Sequence, residues 1–126
     1  MAGFSGISFD DAQRVVGYIE AALAHSGGTH LPSDVVDSII AGRMQLWLAP
    51  RSAVVTSIVR YPRLMACQLF LVGGDLRELL SIEPQIAAWA REQGCTRMEC
   101  GGRAGWLRVL PKLGWTEATP AGFMGW

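Results

Sequence analysis

The most informative part of the chain is residues 44–72, which read MQLWLAPRSAVVTSIVRYPRLMACQLFLV. It contains three runs rich in Val, Ile, Leu, Thr and aromatic residues: Met44–Ala49, Ala53–Tyr61 and Leu64–Val72. Short stretches that contain proline separate these runs, a pattern typical of strands and turns. Strands joined by so few residues must be antiparallel, because a parallel return needs a crossover of about a dozen residues or more. The stretch therefore predicts a three-stranded antiparallel meander.

Two helices are predicted before this meander. Ser8 is a suitable N-terminal cap, and the acidic residues that follow it favour the positive end of a helix dipole. Apolar residues then recur at helical spacing, which predicts a helix from Asp10 to Ala24. A pair of glycines ends this helix, and a second short helix is predicted between Pro32 and Gly42.

One more helix and one more strand are predicted after the meander. A Gly-Gly-Asp sequence breaks the third strand. Because proline is tolerated in the first turn of a helix but not in its middle, Pro84 favours a short turn followed by a helix from Glu83 to Gln93. The next segment, Cys95–Cys100, is predicted to be a strand. A strand, a helix and a strand in one sheet form a right-handed crossover, so we expect Cys95–Cys100 to run parallel to Leu64–Val72.

The C-terminal part of the chain has a less regular pattern. Ala104–Leu113 predicts a brief helix interrupted by Pro111, and Thr119–Trp126 predicts a short edge strand or a wrapped tail. All the elements together predict one mixed α/β (α+β) domain over residues 1–126. Its central mixed sheet would begin as an antiparallel meander and would be flanked by about four helices.

Composition and charge exclude several classes of function. Of 126 residues, 50% are hydrophobic and 17% are charged, and eleven basic and eleven acidic side chains cancel. Such a chain has no global cationic field, so we expect neither general nucleic-acid binding nor attraction to anionic membranes. The longest apolar runs are shorter than the roughly 20 residues that cross a bilayer, and no basic leader precedes an apolar block. We therefore expect a soluble protein of the cytoplasm.

The cysteines and histidines do not form a metal-binding pattern. Cys67, Cys95 and Cys100 are an odd set without CxxC spacing, so neither a disulfide framework nor a zinc site is predicted, and a reducing compartment is expected. His25 and His30 lie in a Gly-rich stretch, where a solvated loop is favoured over metal ligation. No metal site is therefore predicted.

Two segments, together with the order of the predicted elements, resemble a known family. Trp89-Ala-Arg-Glu-Gln-Gly-Cys95 is similar to the helix end before the fifth strand of the GNAT superfamily of N-acetyltransferases. Leu110-Pro-Lys-Leu-Gly-Trp115 is similar to the Tyr-Glu-Lys-Leu-Gly-Phe segment of that family. Residues 98–110, MECGGRAGWLRVL, are closer still to small GNAT-like proteins of tailed bacteriophages, in which Gly-Arg-x-Gly-Trp follows the fifth strand. The resemblance covers nearly the whole chain and implies a single GNAT-like domain.

The resemblance implies that a small-molecule acyl donor, acetyl-CoA, binds between two splayed parallel strands. Its pantetheine arm would be hydrogen-bonded to backbone groups that the splay leaves unpaired. Its pyrophosphate would lie in the loop after the third strand of the meander, at a helix N-terminus, where N–H groups and the helix dipole favour an anion. The residues that this implies for cofactor binding are Phe70, Leu71, Val72, Gly73, Gly74, Arg77 and Arg103.

The sequence departs from the family pattern at this site. The usual Arg/Gln-x-x-Gly-x-Gly/Ala loop is absent, and Asp75 puts a negative charge where the pyrophosphate would lie. The family tyrosine that protonates the departing thiolate falls at Leu110, which has no proton to give, and the family asparagine falls at Arg103. The alternative for Gly73 and Gly74 is a tight strand-to-helix turn without a ligand.

Glu99 is the candidate general base, because a carboxylate at a strand end beside the cleft could take a proton from an amine through water. Alternation predicts Met98 and Cys100 on one face of the strand, with Arg97 and Glu99 on the other. The alternative role for Glu99 is an ion pair with Arg97 or Arg103. Cys100 is expected to pack as a buried thiol rather than to act as a nucleophile.

Five tryptophans are many for a chain of this size. Trp47 and Trp89 lie at core-facing positions and are predicted to pack. Trp106, Trp115 and Trp126 either close the small core or form an exposed anchor for a protein partner or for self-assembly.

Three functions therefore remain open. The resemblance implies an acetyl-CoA-dependent N-acetyltransferase of unknown acceptor. The departures from the family favour a catalytically inactive GNAT-like scaffold, such as a phage virion or host-interaction protein, which would be virion-associated if phage-encoded. A third hypothesis is a binding module for a small acidic ligand, with Arg103 or Arg108 as the clamp.

Overall fold

The computed structural model describes residues 9–24, 28, 30–101, 110–119 and 122–125. Its helices are α1 (Phe9–Leu23), α2 (Pro32–Ile40) and α3 (Leu79–Glu92). Its strands are β1 (Met44–Ala49), β2 (Ser52–Arg60), β3 (Met65–Gly74), β4 (Arg97–Gly101), β5 (Thr116–Thr119) and β6 (Gly122–Gly125). Two 3₁₀ helices, Leu76–Glu78 and Leu110–Leu113, precede α3 and β5. None of the described helices has both the length and the apolar character needed to span a membrane.

The six strands of the described residues form one mixed sheet in the order β1-β2-β3-β4-β6-β5. β1, β2 and β3 are antiparallel neighbours, which confirms the predicted meander. β4 pairs with β3 in parallel, with Ala66 opposite Arg97 and Leu69 opposite Cys100. This is the direction that a right-handed crossover through α3 predicts. The mixed α+β class is therefore confirmed.

The C-terminal hairpin lies in the sheet differently from the prediction. The sequence predicts a short edge strand or a wrapped tail over Thr119–Trp126, but β6 lies inside the sheet between β4 and β5. β6 is antiparallel to both of its neighbours, so β5 forms the sheet edge. The return of β6 beside β4 provides partners for backbone groups on both sides of the strand. Such a long-range pairing leaves no mark in a local sequence pattern.

The described part of the chain has fewer helices than predicted. Against an expectation of about four, the described residues contain three α-helices. The described part of the helix predicted over Ala104–Leu113 is the 3₁₀ helix Leu110–Leu113, which contains Pro111. Proline lacks the N–H that an α-helix would need at this position. Residues 102–109 lie outside the described residues.

α3 begins at Leu79 rather than at the predicted Glu83, so Pro84 lies beyond the first turn of the helix. The prediction was wrong because it confined proline to that turn. The N–H that proline lacks would have bonded the carbonyl of Leu80. Leu80 and Pro84 are both exposed, so water can hydrate this carbonyl and the missing bond costs less than it would inside the core.

The core has two layers, one on each face of the sheet. α3 covers one face and packs on side chains that include Leu69 and Met98. α1 and α2 cover the other face and pack on side chains that include Leu46. Trp47 and Trp89 meet edge to face on the α3 side, with ring centroids 5.6 Å apart. Their predicted packing role is therefore confirmed.

Candidate functional site

Close packing accounts for both glycines of the loop that joins β3 to α3. A Cβ on Gly73 would lie 2.5 Å from the Cβ of Tyr18 on α1, a distance that real atoms do not reach. Gly74 has a φ of +92°, which favours glycine, and a Cβ there would lie 2.7 Å from the Cα of Ser52. A tight turn packed against α1 and the start of β2 thus requires both glycines without any ligand.

Three backbone N–H groups of this loop donate hydrogen bonds inside the protein. The N–H of Asp75 donates to the carbonyl of Arg51 over 3.0 Å, and the N–H of Glu78 donates to the carbonyl of Asp75 over 3.1 Å. The N–H of Arg77 donates to Oδ1 of Asp75 over 3.0 Å. Because helix N-termini bind phosphate through N–H groups that have no other partner, an anion that used these three groups would have to displace their present bonds.

Two carboxylates lie at the same loop. Asp75 accepts hydrogen bonds from the guanidinium of Arg77 at 3.3 Å, and these bonds hold the pKa of Asp75 below its usual range and raise the pKa of Arg77. Oε1 of Glu78 accepts from the N–H of Arg51 and from the hydroxyl of Ser52, both at 2.8 Å. Arg77 is thus already paired with a carboxylate from its own loop.

α1 holds the neighbouring turn between β1 and β2. Nη1 of Arg14 donates to the carbonyls of Ala49 and Pro50 over 2.9 and 3.1 Å, and the hydroxyl of Tyr18 donates to the carbonyl of Arg51 over 3.1 Å. The turn, the β3–α3 loop and these two α1 side chains therefore form one hydrogen-bonded unit. We call this unit the hairpin joint; it comprises residues 49–52 and 73–78 with Arg14 and Tyr18.

The described pairing of β3 with β4 is shorter than β3 itself. The parallel pairs end at Leu69 and Cys100, whereas β3 stays paired with β2 as far as Gly74. The sequence predicts that the two parallel strands diverge after Val72. The described pairing with β4 ends before that point, so the residues predicted to hold the pantetheine arm come directly after the last pair.

β3 also carries a β-bulge at Phe70. Two consecutive residues of β2 pair with Leu69 and Leu71, which leaves Phe70 as an extra residue between them. The extra residue changes the alternation of faces. Leu69 packs on the α3 side, whereas Phe70 and Leu71 both pack on the side of α1 and α2. The ring of Phe70 meets that of His30 edge to face at 4.8 Å. The bulge therefore lies where the described pairing with β4 ends.

Glu99 is held by two side chains. Its Oε1 accepts a 2.8 Å hydrogen bond from the hydroxyl of Tyr61, and its Oε2 lies 2.6 Å from Nη2 of Arg97. The guanidinium of Arg97 also lies over the ring of Tyr61, 5.4 Å from its centroid. The ion pair with Arg97 that the sequence left open is confirmed. The predicted alternation is confirmed as well, since Met98 and Cys100 are buried in the core on the α3 side.

This Tyr61–Arg97–Glu99 cluster limits what Glu99 can do as a base. Both carboxylate oxygens have a donor, so a water molecule that relays a proton from an amine would have to share Oε1 with Tyr61 or displace it. The hydrogen bond to Glu99 raises the pKa of Tyr61, so the hydroxyl stays protonated and donating at neutral pH. Glu99 could therefore act as a base only through an oxygen that it shares with Tyr61 or Arg97, or after one of these donors has moved.

Tyr61 is the member of this cluster that the sequence analysis missed. It follows the last residue of β2 and lies 38 positions from Glu99 in the sequence. The predicted topology could have indicated that Tyr61 lies near β4. The turn after β2 and the start of β4 lie at the same end of the sheet, because β4 runs parallel to β3. Side chains from these two places can therefore meet.

The cysteines belong to the core. Cys67, Cys95 and Cys100 are free and buried. Burial raises the pKa of Cys67 to about 12 and moves that of Cys95 in the same direction, so both remain thiols. Cys100 packs on the α3 side, as predicted. In the part of the chain that the structure describes, no group of three or more His, Cys, Asp or Glu residues could hold a metal ion.

Trp115 is buried and is not a surface anchor. Its side chain is 4% exposed, and its Nε1 lies 3.4 Å from Oε1 of Glu83 on α3. The exposed role proposed for Trp115 is therefore wrong and the core-closing alternative is right, because the chain after the second 3₁₀ helix brings the indole against α3. The other sequence candidates that lie outside the described residues are His25, Arg103, Trp106, Arg108 and Trp126.

No model of a known protein family matches the chain, and no curated protein matches it either. A function must therefore be inferred from three features of the molecule: the hairpin joint, the β3–β4 pairing and the Tyr61–Arg97–Glu99 cluster.

Proposed function

We propose that this chain is a GNAT-like protein that works as a catalytically inactive scaffold, such as a phage virion component or a host-interaction protein. The observation that carries this proposal is the closed hairpin joint. N–H groups of its loop are hydrogen-bonded inside the protein, and Arg77 is paired with Asp75. The residues that would hold the pyrophosphate of acetyl-CoA already stabilise the fold.

The order and direction of the elements support the GNAT-like part of the proposal. Two helices precede an antiparallel meander, a helix joins the last meander strand to a parallel neighbour, and a hairpin follows. This is the element order for which the sequence resembles the GNAT superfamily. A fold does not by itself assign an activity, so the choice between scaffold and enzyme depends on the site.

Binding of a pyrophosphate would break contacts that stabilise the joint. Displacement of Asp75 would remove the acceptor for the N–H of Arg77 and for its guanidinium. The pair is exposed to solvent, with the Arg77 side chain 82% exposed, so its loss would oppose binding only weakly. Leu110 argues in the same direction, because leucine at the position of the family tyrosine cannot protonate a thiolate.

Isothermal calorimetry of the full chain with acetyl-CoA tests this proposal. We expect no heat of binding at millimolar ligand, and no release of CoA, followed by liquid chromatography, when primary amines are added. The matched variants are Arg77→Ala and Arg63→Ala, since both arginines are exposed and lie outside the strands. Micromolar binding that Arg77→Ala weakens at least about tenfold, and that Arg63→Ala leaves unchanged, would overturn the scaffold proposal.

The second candidate function is an acetyl-CoA-dependent N-acetyltransferase of unknown acceptor. The observation that favours it is the bulge at Phe70 beside the last β3–β4 pair, Leu69 and Cys100. The backbone from Phe70 to Val72 follows directly and would hold the pantetheine arm, as the family resemblance implies.

Glu99 would be the base of this second candidate. In that case Glu99→Gln abolishes the amine-dependent release of CoA but keeps the binding of acetyl-CoA. Glu92→Gln changes an exposed glutamate on α3 and is expected to keep both. Loss of binding in Glu99→Gln would instead give Glu99 a structural role.

A further inference from the structure

A carboxyl group is buried between α3 and the C-terminal part of the chain. Glu83 is 6% exposed. Its buried neighbours along α3 include Leu79, Ile82 and Ile86, which are all apolar. An ionised carboxylate in such surroundings is unfavourable unless it is paired and fully hydrogen-bonded. The protonation state of Glu83 therefore affects the packing around it.

The hydrogen bond that Glu83 accepts is a weak one. The distance from the indole Nε1 of Trp115 to Oε1 of Glu83 is 3.4 Å, whereas N–H···O bonds usually measure about 2.9 to 3.0 Å. Trp115 follows the second 3₁₀ helix, which packs against α3. The contact thus joins α3 to residues 110–119, which we call the Trp115 segment.

The charged and titratable groups around Glu83 compensate its burial only in part. Arg91 on the same helix and the Trp115 hydrogen bond both favour the charged carboxylate, but burial outweighs them and raises the pKa of Glu83. Lys112, on the 3₁₀ helix that packs against α3, is exposed. The same core also contains three thiols: Cys67 on β3, Cys95 just before β4 and Cys100 on β4.

We propose that Glu83 is a pH-responsive contact that keeps the Trp115 segment packed on α3 while it is protonated and loosens that segment when it ionises. A carboxyl group whose pKa is raised in the folded protein contributes stability that is fully present below its ordinary value, near 4.5. This stability is lost as the pH rises through the raised value. The C-terminal hairpin is affected because β5 belongs to the segment and β6 pairs with both β5 and β4.

Hydrogen exchange of the full chain, read by mass spectrometry, tests this proposal. The protection of the Trp115 segment is compared with that of α1 from about pH 5 to pH 8, after correction for the chemical exchange rate. We expect the protection of the segment to fall over this range, while α1 keeps its protection. Glu83→Gln is neutral throughout and should remove this difference. Glu92→Gln, an exposed glutamate on the same helix, should behave as the wild type.

Equal pH dependence in the wild type and in Glu83→Gln would overturn the proposal. A second measurement decides the matter if Glu83→Gln does not fold. Carbon-13 NMR of the side-chain carboxyl groups in the wild-type chain reports the glutamates directly, and the pKa of Glu83 should lie above its ordinary value of 4.5. A Glu83 carboxyl that titrates at or below that value would show that it holds no buried proton. Neither result depends on acetyl-CoA, so this proposal stands or falls separately from the proposed function.

Discussion

Replacement of Gly73 by alanine tests the hairpin joint directly. The added Cβ would lie 2.5 Å from the Cβ of Tyr18 and 3.1 Å from its Cα. Carbon atoms pack best at about 3.5 to 4.0 Å, so α1 and β3 must move apart by roughly 1 Å. Overpacking of this kind costs about 1 to 3 kcal/mol, and loss of the hydrogen bond from Tyr18 to Arg51 adds about 1 kcal/mol. We therefore expect Gly73→Ala to lower the free energy of unfolding by about 2 to 4 kcal/mol.

Equilibrium unfolding in urea measures this loss, and Gly17→Ala is the matched control. Gly17 precedes Tyr18 on the same helix, and nothing lies within 4 Å of a Cβ built there. Alanine in a helix interior is more stable than glycine by about 1 kcal/mol, so the two variants should shift stability in opposite directions. Thermal midpoints should move by about 4 °C for each kcal/mol. A Gly73→Ala protein as stable as the wild type would show that α1 does not pack on this loop and would strengthen the ligand-binding alternative.

The core, the exposed ion pair and the C-terminal tryptophan each allow a further test. Leu46 is 0% exposed, whereas Leu31 is 65% exposed. In urea unfolding, Leu46→Ala should therefore lower the free energy of unfolding by about 3 kcal/mol, and Leu31→Ala by less than about 0.5 kcal/mol. Equal losses would contradict the assignment of the core. The pKa of Asp75 is lowered chiefly by its hydrogen bond from Arg77, so the stability it contributes is present above its ordinary value of 3.8 and is lost as the pH falls. Asp75→Asn should therefore flatten the acid side of the curve of Tm against pH, and an unchanged curve would refute this role. If the protein is a scaffold that assembles through its aromatic residues, light scattering should find an oligomer for the wild type and a monomer for Trp126→Ser. Monomers in both cases would count against self-association.

The meander could be predicted because its signals are local. Pro50 and Pro62 separate runs of β-forming residues, and the three observed strands lie within two residues of the predicted bounds at every end. The parallel direction of β4 also followed from the sequence, because a helix between two strands of one sheet carries the chain back to the end of the sheet where the first strand began. For the segments up to β4, the sequence therefore predicted the type and order of the main helices and strands.

Contacts between distant elements could not be predicted in the same way. The hydrogen bond from Tyr61 to Glu99 and the contact of Trp115 with Glu83 depend on which strands and helices become neighbours. At the candidate site, the Gly-Gly-Asp sequence is compatible both with an anion-binding loop and with a packed turn. The position of Tyr18 opposite Gly73 favours the turn, and that position is set by how α1 crosses the sheet.

β4 makes the sheet depend on residues that are synthesised late. Its neighbours are β3, which lies before α3, and β6, which comes after all the other described strands. Pairs between strands that are adjacent in sequence form quickly, whereas closure of a longer loop is slower. On a ribosome, α1, α2 and the first three strands could assemble as they emerge, but β3 would lack β4 until the whole of α3 had followed. The growing chain would meanwhile present a strand edge of the kind that chaperones shield and that other chains can join.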